Sequence, residues 1–307
     1  LVGRAVLDHL LARAAAVTMA TSTPGVVPRA PRLSVVPFRL DDPVLAPETE
    51  RALAGCDAVV HAAAVIPSPA DLMDRTAGLA VYRRNLAGTT VLMEAAAAAS
   101  VRSFVYISAL NLFPPSAGLV TEETLPAPPN LYVQSKLCGE GVAAQLDRLG
   151  PTRFASLRIS APYGPFYRIR AVIPTFVENA LAGRPLRLAG TGERRQLFTC
   201  AEDVAVACRL CIERTASGVF NIAGARPVSM RELAETVLAV APDRGSRIKV
   251  SGSPDPDGGR HRRASLERAR VELGFVPAFD IADGLRAMIA AIEKPSPPPF
   301  AVPGEAP

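Results

Sequence analysis

A tyrosine and a lysine four residues apart, Tyr132 and Lys136, form the clearest chemical pair in the chain. On a helix this spacing puts both side chains on one face, one turn apart. A tyrosine hydroxyl titrates near ~10 and is a weak base at neutral pH. A nearby ammonium favours the phenolate and turns the hydroxyl into a usable proton acceptor. The same lysine can donate hydrogen bonds to the ribose of a cofactor. With five tyrosines and three lysines (Lys136, Lys249 and Lys294) in 307 residues, chance supplies only about 0.05 such pairs. The competing reading is a Tyr–Lys pair on a solvated helix face. Chemistry is favoured by a strand-like run, 102–108 (RSFVYIS), that ends in Ser108 about one helical element upstream. Tyr132, Lys136 and Ser108 are the candidate catalytic set.

These side chains need a scaffold, and the hydrophobic pattern supplies one. Residues 1–14 read as an amphipathic helix. Strands are expected at 15–20, 33–38, 57–61, 102–108 and 152–159. Helices are expected at 43–54 (ended by Gly55), 70–99 and 131–149. Strands alternating with helices call for a parallel sheet covered on both faces. Right-handed crossovers make it an α/β, doubly wound, Rossmann-type sheet. After Pro162 the rhythm changes, with helices at 172–182, 202–213, 229–240, 265–273 and 281–292. A strand at 218–222 can return to the main sheet. The other pieces look too small for a core of their own and read as a lobe capping the C-terminal edge of the sheet. The expected division is a dinucleotide-binding part, 1–163 with 198–223 returning to it, and a substrate lobe, 164–197 and 224–294. The Pro-rich stretch 295–307 is expected to be disordered.

Composition excludes several classes. Hydrophobic residues make up 49% and charged residues 21%, a globular balance. No apolar run is long enough for a membrane span. The net charge of +5 is scattered, and with no tryptophan there is no basic, aromatic-studded stripe for nucleic acid. Cys56, Cys138, Cys200, Cys208 and Cys211 are odd in number and irregularly spaced, which argues against a disulfide framework. Cys208 and Cys211 form a C-x-x-C without a second ligand pair, so no metal is expected. A reducing, cytoplasmic setting without a signal peptide fits best.

Further segments carry a resemblance. They are LVGRAV at 1–6, DAVVHAAA at 57–64, NLAGT at 85–89, FVYIS at 104–108, YGP at 163–165, GTGERRQLFTCAEDVA at 190–205 and RARVELGFVP at 268–277. Together with Tyr132 and Lys136, the chain resembles an extended short-chain dehydrogenase/reductase of the NAD-dependent epimerase/dehydratase family. The likeness implies NAD or NADP as cofactor and a nucleotide sugar as substrate, with a homodimer as a further possibility. Gly3 resembles the last glycine of the family's pyrophosphate loop, where it lets the first helix pack tightly on a strand. The first strand and the start of that loop are then expected upstream of Leu1. By the same likeness His61, Ala62, Ala63, Asn85 and Ile159 line the cofactor.

The chain also departs from the family pattern. The position of the hydroxyl that assists the tyrosine falls on Ala109, with Ser108 one residue before it and on the other face of the strand. Where nucleotide-sugar dehydratases resemble Thr-Asp-Glu, this chain has Ala109, Leu110 and Asn111, so dehydration lacks its acid and base. Asn111 remains a candidate for polarising a substrate carbonyl. The ribose-reading positions hold Thr21 and Ser22, with Arg39 beyond, which leaves NAD and NADP both open. Ala161 replaces an asparagine of the family's substrate segment, and Arg194 or Arg195 can clamp a diphosphate. The resulting expectation is an NAD(P)-dependent epimerase acting on a nucleotide-activated sugar through a transient keto intermediate. The alternatives are an NADPH-dependent ketoreductase and a catalytically weak dinucleotide-binding protein.

Overall fold

The computed structural model of the chain describes residues 1–13, 15–27, 30–114, 118–165, 171–255 and 263–293. Helix α1 (Val2–Ala12) buries Ala5, Val6 and Leu7. Strands β1 (Val17–Thr21) and β2 (Leu33–Pro37) pair in parallel, Val17 opposite Leu33. The next helix, α2 (Pro47–Ala54), starts four residues later than the expected 43. Pro47, with its fixed φ and absent N–H, suits the first turn, and Gly55 follows the last residue.

Strand β3 (Ala58–His61) leads to two helices where one was expected over 70–99. These are α3 (Pro69–Met73) and α4 (Arg75–Ala98). Ser68 and Asp71 form a capping box on α3. Asp74 leaves the helical region (φ −99°, ψ 123°) and accepts from the Ala77 N–H at 2.6 Å, capping α4. A capping residue has non-helical backbone, so the pattern breaks there.

Beyond these come β4 (Ser103–Ala109), β5 (Leu119–Val120), α5 (Leu131–Leu149) and β6 (Arg153–Ile159). Then follow β7 (Ala161–Tyr163), α6 (Val172–Leu181), β8 (Leu186–Leu188), β9 (Arg195–Gln196), β10 (Phe198–Cys200), α7 (Ala201–Arg214) and β11 (Gly218–Ile222). The main sheet is parallel, in the order β3–β4–β6–β11, with β11 returning to it as expected. Every residue of β4 from Ser103 to Ser108 is buried, as a strand covered on both faces requires. On one face Val105, Ile107 and Leu157 meet Ala5, Val6, Val204 and Cys208 of α1 and α7. On the other, Phe104, Tyr106 and Phe154 meet Leu53, Leu92, Met93 and Ala143 of α2, α4 and α5. Cys208 and Cys211 are fully buried in the first of these cores. Among the described residues no cluster of three metal-ligating side chains occurs. The β1–β2 pair makes no ladder with the main sheet among the described residues. No described helix is long and apolar enough to cross a membrane.

The remaining elements are β12 (Val228–Ser229), α8 (Met230–Val240), β13 (Ile248–Val250), β14 (Arg263–Ala264) and α9 (Ile281–Glu293). Short ladders join β7 to β10, β8 to β13, β9 to β12 and β5 to β14. Contrary to expectation, the lobe has its own core. Ile173, Phe176, Val177, Leu186, Leu233 and Met288 cluster there, and β7 and β10 add Tyr163, Phe198 and Cys200. The expected helix 265–273 starts two residues late, at 267, and its last five residues, Ala269–Leu273, are π-helical, ended by Gly274 at φ 71°. The stretch expected to be disordered, 295–307, lies outside the described residues.

One glycine explains how closely α4 lies on the chain after β2. A Cβ on Gly88 would fall 2.6 Å from Leu40 Cα and 2.7 Å from its carbonyl oxygen. Backbone cannot rotate away, so Gly88→Ala should destabilise the fold by about 1–3 kcal/mol. Gly141, on α5, is the control, because a methyl group there would have nothing within 4 Å. Gly141→Ala should stabilise by roughly 0.5–1 kcal/mol through helix propensity. Urea denaturation of both variants checks the pair; equal effects would contradict the close approach.

Candidate active site

The start of α5 sets the site. The Asn130 side chain accepts from the Val133 N–H at 3.0 Å and caps the helix. Tyr132 lies in the first turn, half-buried against a cluster that includes Leu112, Phe113 and Val133. It also lines a cavity of about 250 Å³ with Leu72, Met73, Val81 and Leu131. Lys136, one turn on, is only 4% exposed. Its Nζ donates to the Ile107 carbonyl at 3.0 Å and lies 5.0 Å from the centre of the Tyr106 ring. Among the described residues no carboxylate pairs with it. Burial alone pushes its pKa down to about 8.

Ser108 faces the same helix but is engaged further along it. Its hydroxyl donates to Glu140 Oε1 at 2.5 Å. Glu140 also receives the Arg158 guanidinium, 2.7 Å from Arg158 Nη2 to Oε2, and both side chains are 5% exposed. Arg158 further donates to the Glu122 carbonyl and faces the Phe113 ring. The Ser108 hydroxyl is thus occupied in a buried ion-pair network that ties β4, α5 and β6 together. Sequence reasoning missed Glu140, Arg158 and Tyr106. An arginine inside the apolar run FASLRI was the available signal, since a buried charge demands a partner.

Ala109 ends β4 half-buried and brings no hydroxyl. Asn111 sits in the following turn, and its Oδ1 is buried without a hydrogen-bond partner.

The residues expected to line a cofactor divide into two groups. Gly3 is exposed on α1, Ala62 and Ala63 follow β3, and Thr21 and Ser22 end β1. Arg39 is exposed beyond β2, within 3.9 Å of Asp41 and Asp42. Ile159 ends β6 and is buried. A Cβ on Gly3 would meet only Ala62 Cβ, at 3.6 Å. That is ordinary contact, so packing against the residues that follow β3 does not demand this glycine. His61 and Asn85 act inside the protein. His61 is 2% exposed, bonds Thr89 Oγ1 at 2.9 Å and stacks on Tyr106. Burial pushes its pKa down to about 3, so it is neutral. Asn85 accepts from the Val65 N–H at 2.7 Å and donates to the Val65 carbonyl at 3.0 Å. It holds the loop after β3 with both ends of its amide.

On the lobe side, Ala161 and Arg194 line a second cavity of about 250 Å³ with Tyr163, Val172, Gln196 and Phe198. Arg194 also donates to Gln196 Oε1 at 3.0 Å and lies 3.2 Å from Asp255. Arg195 is exposed and, by strand alternation, projects from the opposite face of β9.

The low Lys136 value has a stability consequence. The folded pKa lies below the ordinary lysine value of 10.5, so the charge weakens the fold below about 8, and the cost fades as pH rises toward 10.5. Lys136→Met should therefore be more stable than the native protein at pH 7, by on the order of 3 kcal/mol. The gap should close as pH approaches 10.5. Urea midpoints at pH 7 and pH 10 check this; a gap that ignores pH would contradict it.

Comparison with known proteins gives the family. The profile of the NAD dependent epimerase/dehydratase family matches residues 1–223. A dTDP-glucose 4,6-dehydratase of Streptomyces niveus is 31% identical over 240 residues, covering 76% of this chain and 69% of the relative. An uncharacterised UDP-glucose epimerase of Bacillus subtilis is 24% identical over 247 residues, 79% of this chain and 76% of the relative. Among solved structures, the UDP-glucose 4-epimerase of Thermus thermophilus in complex with NAD shares the fold. Its TM-score is 0.80 at 22% identity, over 95% of this chain and 96% of that one. This chain belongs to the NAD dependent epimerase/dehydratase family, enzymes of the extended short-chain dehydrogenase type.

Proposed function

We propose that the protein is an NAD(P)-dependent epimerase that inverts a carbon, C4 by preference, of a nucleotide-activated sugar through a transient keto intermediate. The observation that carries this reading is the buried Lys136 ammonium. It has no carboxylate partner among the described residues and stands one turn from Tyr132. Holding an uncompensated charge in the interior is costly, and the chemistry of Tyr132 gives a reason for it.

The residues present fit a nicotinamide dinucleotide. Helix α1 has no side-chain cap and no acidic residue in its first turn, which suits an anion. Residues 1–163, with 198–223 returning, are assigned to the dinucleotide, and the lobe of 164–197 and 224–294 to the sugar nucleotide. A nicotinamide dinucleotide held by these residues would supply hydride acceptance and return. Tyr132 takes the sugar hydroxyl proton as the carbon gives up its hydride, leaving a carbonyl. Lys136, with two N–H donors beyond the one on Ile107, favours the Tyr132 phenolate and reaches the ribose. Asn111 offers its amide to the substrate oxygen. Arg194 holds the diphosphate, aided by its position in the lobe cavity. The keto sugar turns over, and Tyr132 returns the proton. The five free cysteines suit a reducing, cytoplasmic setting.

One observation favours a second reading. Arg39 is exposed beyond β2 and only loosely paired, which suits a 2′-phosphate and an NADPH-dependent ketoreductase. Incubation with a panel of nucleotide sugars and NAD or NADPH, read by chromatography and mass spectrometry, separates the two. An epimerase regenerates its cofactor each turnover; a reductase consumes it stoichiometrically. On a verified substrate, Tyr132→Phe should lower turnover by roughly 10²–10⁴-fold with dinucleotide affinity unchanged. Ala109→Ser should raise turnover, while Ser108→Ala should chiefly lower stability. Full turnover in Tyr132→Phe would remove Tyr132 from the mechanism and overturn the reading, whereas dinucleotide binding without conversion of any sugar in the panel would favour a dinucleotide-binding protein.

A further inference from the structure

Under Lys136 lies a tyrosine that no motif singles out. Tyr106, on β4, is 1% exposed. His61 stacks on its ring, centroids 5.7 Å apart and planes at 22°. The Thr89 side chain, held by His61, lies beside its phenol. The ring is seated over Gly139 of α5, where a Cβ would come within 2.6–2.8 Å of the hydroxyl and ring carbons. Three elements thus fix the ring, and the Lys136 Nζ lies 5.0 Å from its centre.

An aromatic face carries the negative end of the ring quadrupole, and a desolvated cation over it is attracted. Around the Lys136–Tyr106 contact the titratable groups are His61 of β3 and Tyr132, Cys138 and Glu140 of α5, with Tyr82 of α4 on Cys138 and Arg158 of β6 on Glu140. His61 is neutral, and Glu140 is bound to Arg158 and Ser108. Among the described residues, the Ile107 carbonyl and the Tyr106 face both contact the ammonium directly.

We propose that Tyr106 is a positioning residue: its ring face seats the Lys136 ammonium one turn from Tyr132 and favours its charged form. The reaction context rests on the Tyr132–Lys136 reading above, but the contact itself is testable without turnover.

The chain has only three lysines, so labelling them with ¹³C gives three side-chain signals to titrate by NMR. Loss of one signal in Lys136→Met assigns Lys136. Tyr106→Phe should leave the Lys136 midpoint in place. Tyr106→Met, flexible enough to refill the site, should lower it by about one pH unit. Site-specific difluorophenylalanine at 106 keeps the shape of the Phe variant while weakening the ring face, and should lower the midpoint in the same direction. It decides the matter if the Met variant does not fold. An unmoved midpoint in a folded difluorophenylalanine variant would overturn the proposal. On a verified substrate the alkaline limb of the kcat profile should move down with the midpoint. A moved midpoint with an unmoved kcat profile would support the Tyr106 contact and count against the catalytic reading of Lys136.

Discussion

The site depends on one ammonium held in the interior without a counter-charge among the described residues. Lys136 is buried by the packing of α5 on β4, and it keeps a carbonyl and an aromatic face as partners rather than a carboxylate. A carboxylate there would stabilise the fold more and neutralise the charge that Tyr132 needs. The Glu140 carboxylate, four residues further along the same helix, is taken by Arg158 and Ser108. The arrangement separates two charges on one helix: Glu140, paired with Arg158, fixes the helix, while Lys136, with no carboxylate among the described residues, is the one the proposed reading assigns to Tyr132.

The doubly wound sheet makes this separation possible. Because β4 is covered on both faces, its alternate residues enter different environments. Val105 and Ile107 join the core under α1 and α7, whereas Tyr106 and Ser108 face the helices α4 and α5. The parallel register that sets Ser108 opposite Arg158 and His61 opposite Tyr106 aligns the whole support. The lobe, with its own core, adds a cavity lined by Arg194 beyond the carboxyl end of β6.

Much of this was legible in the sequence where the signal is local. The Y-x-x-x-K spacing and the strand–helix alternation depend on residues close together in the chain. The 131–149 helix was legible to the residue because Asn130 caps it and an apolar face runs its length. What depends on distant partners was not. Ser108 looked like a candidate hydroxyl because its strand position is visible but Glu140, 32 residues away, is not. The partners of His61 and Asn85, Thr89 and Val65, lie 28 and 20 residues away and were equally invisible. Asp74 ended one helix and capped the next within a pattern whose apolar period runs on unbroken.

The central claim is that Lys136 acts on Tyr132 through its charge. Difference absorbance titration against Tyr132→Phe isolates the ionisation of that one phenol. The phenol should ionise at lower pH in the native protein than in the Lys136→Met background. A Tyr132 that ionises at the same pH with and without Lys136 would contradict the account.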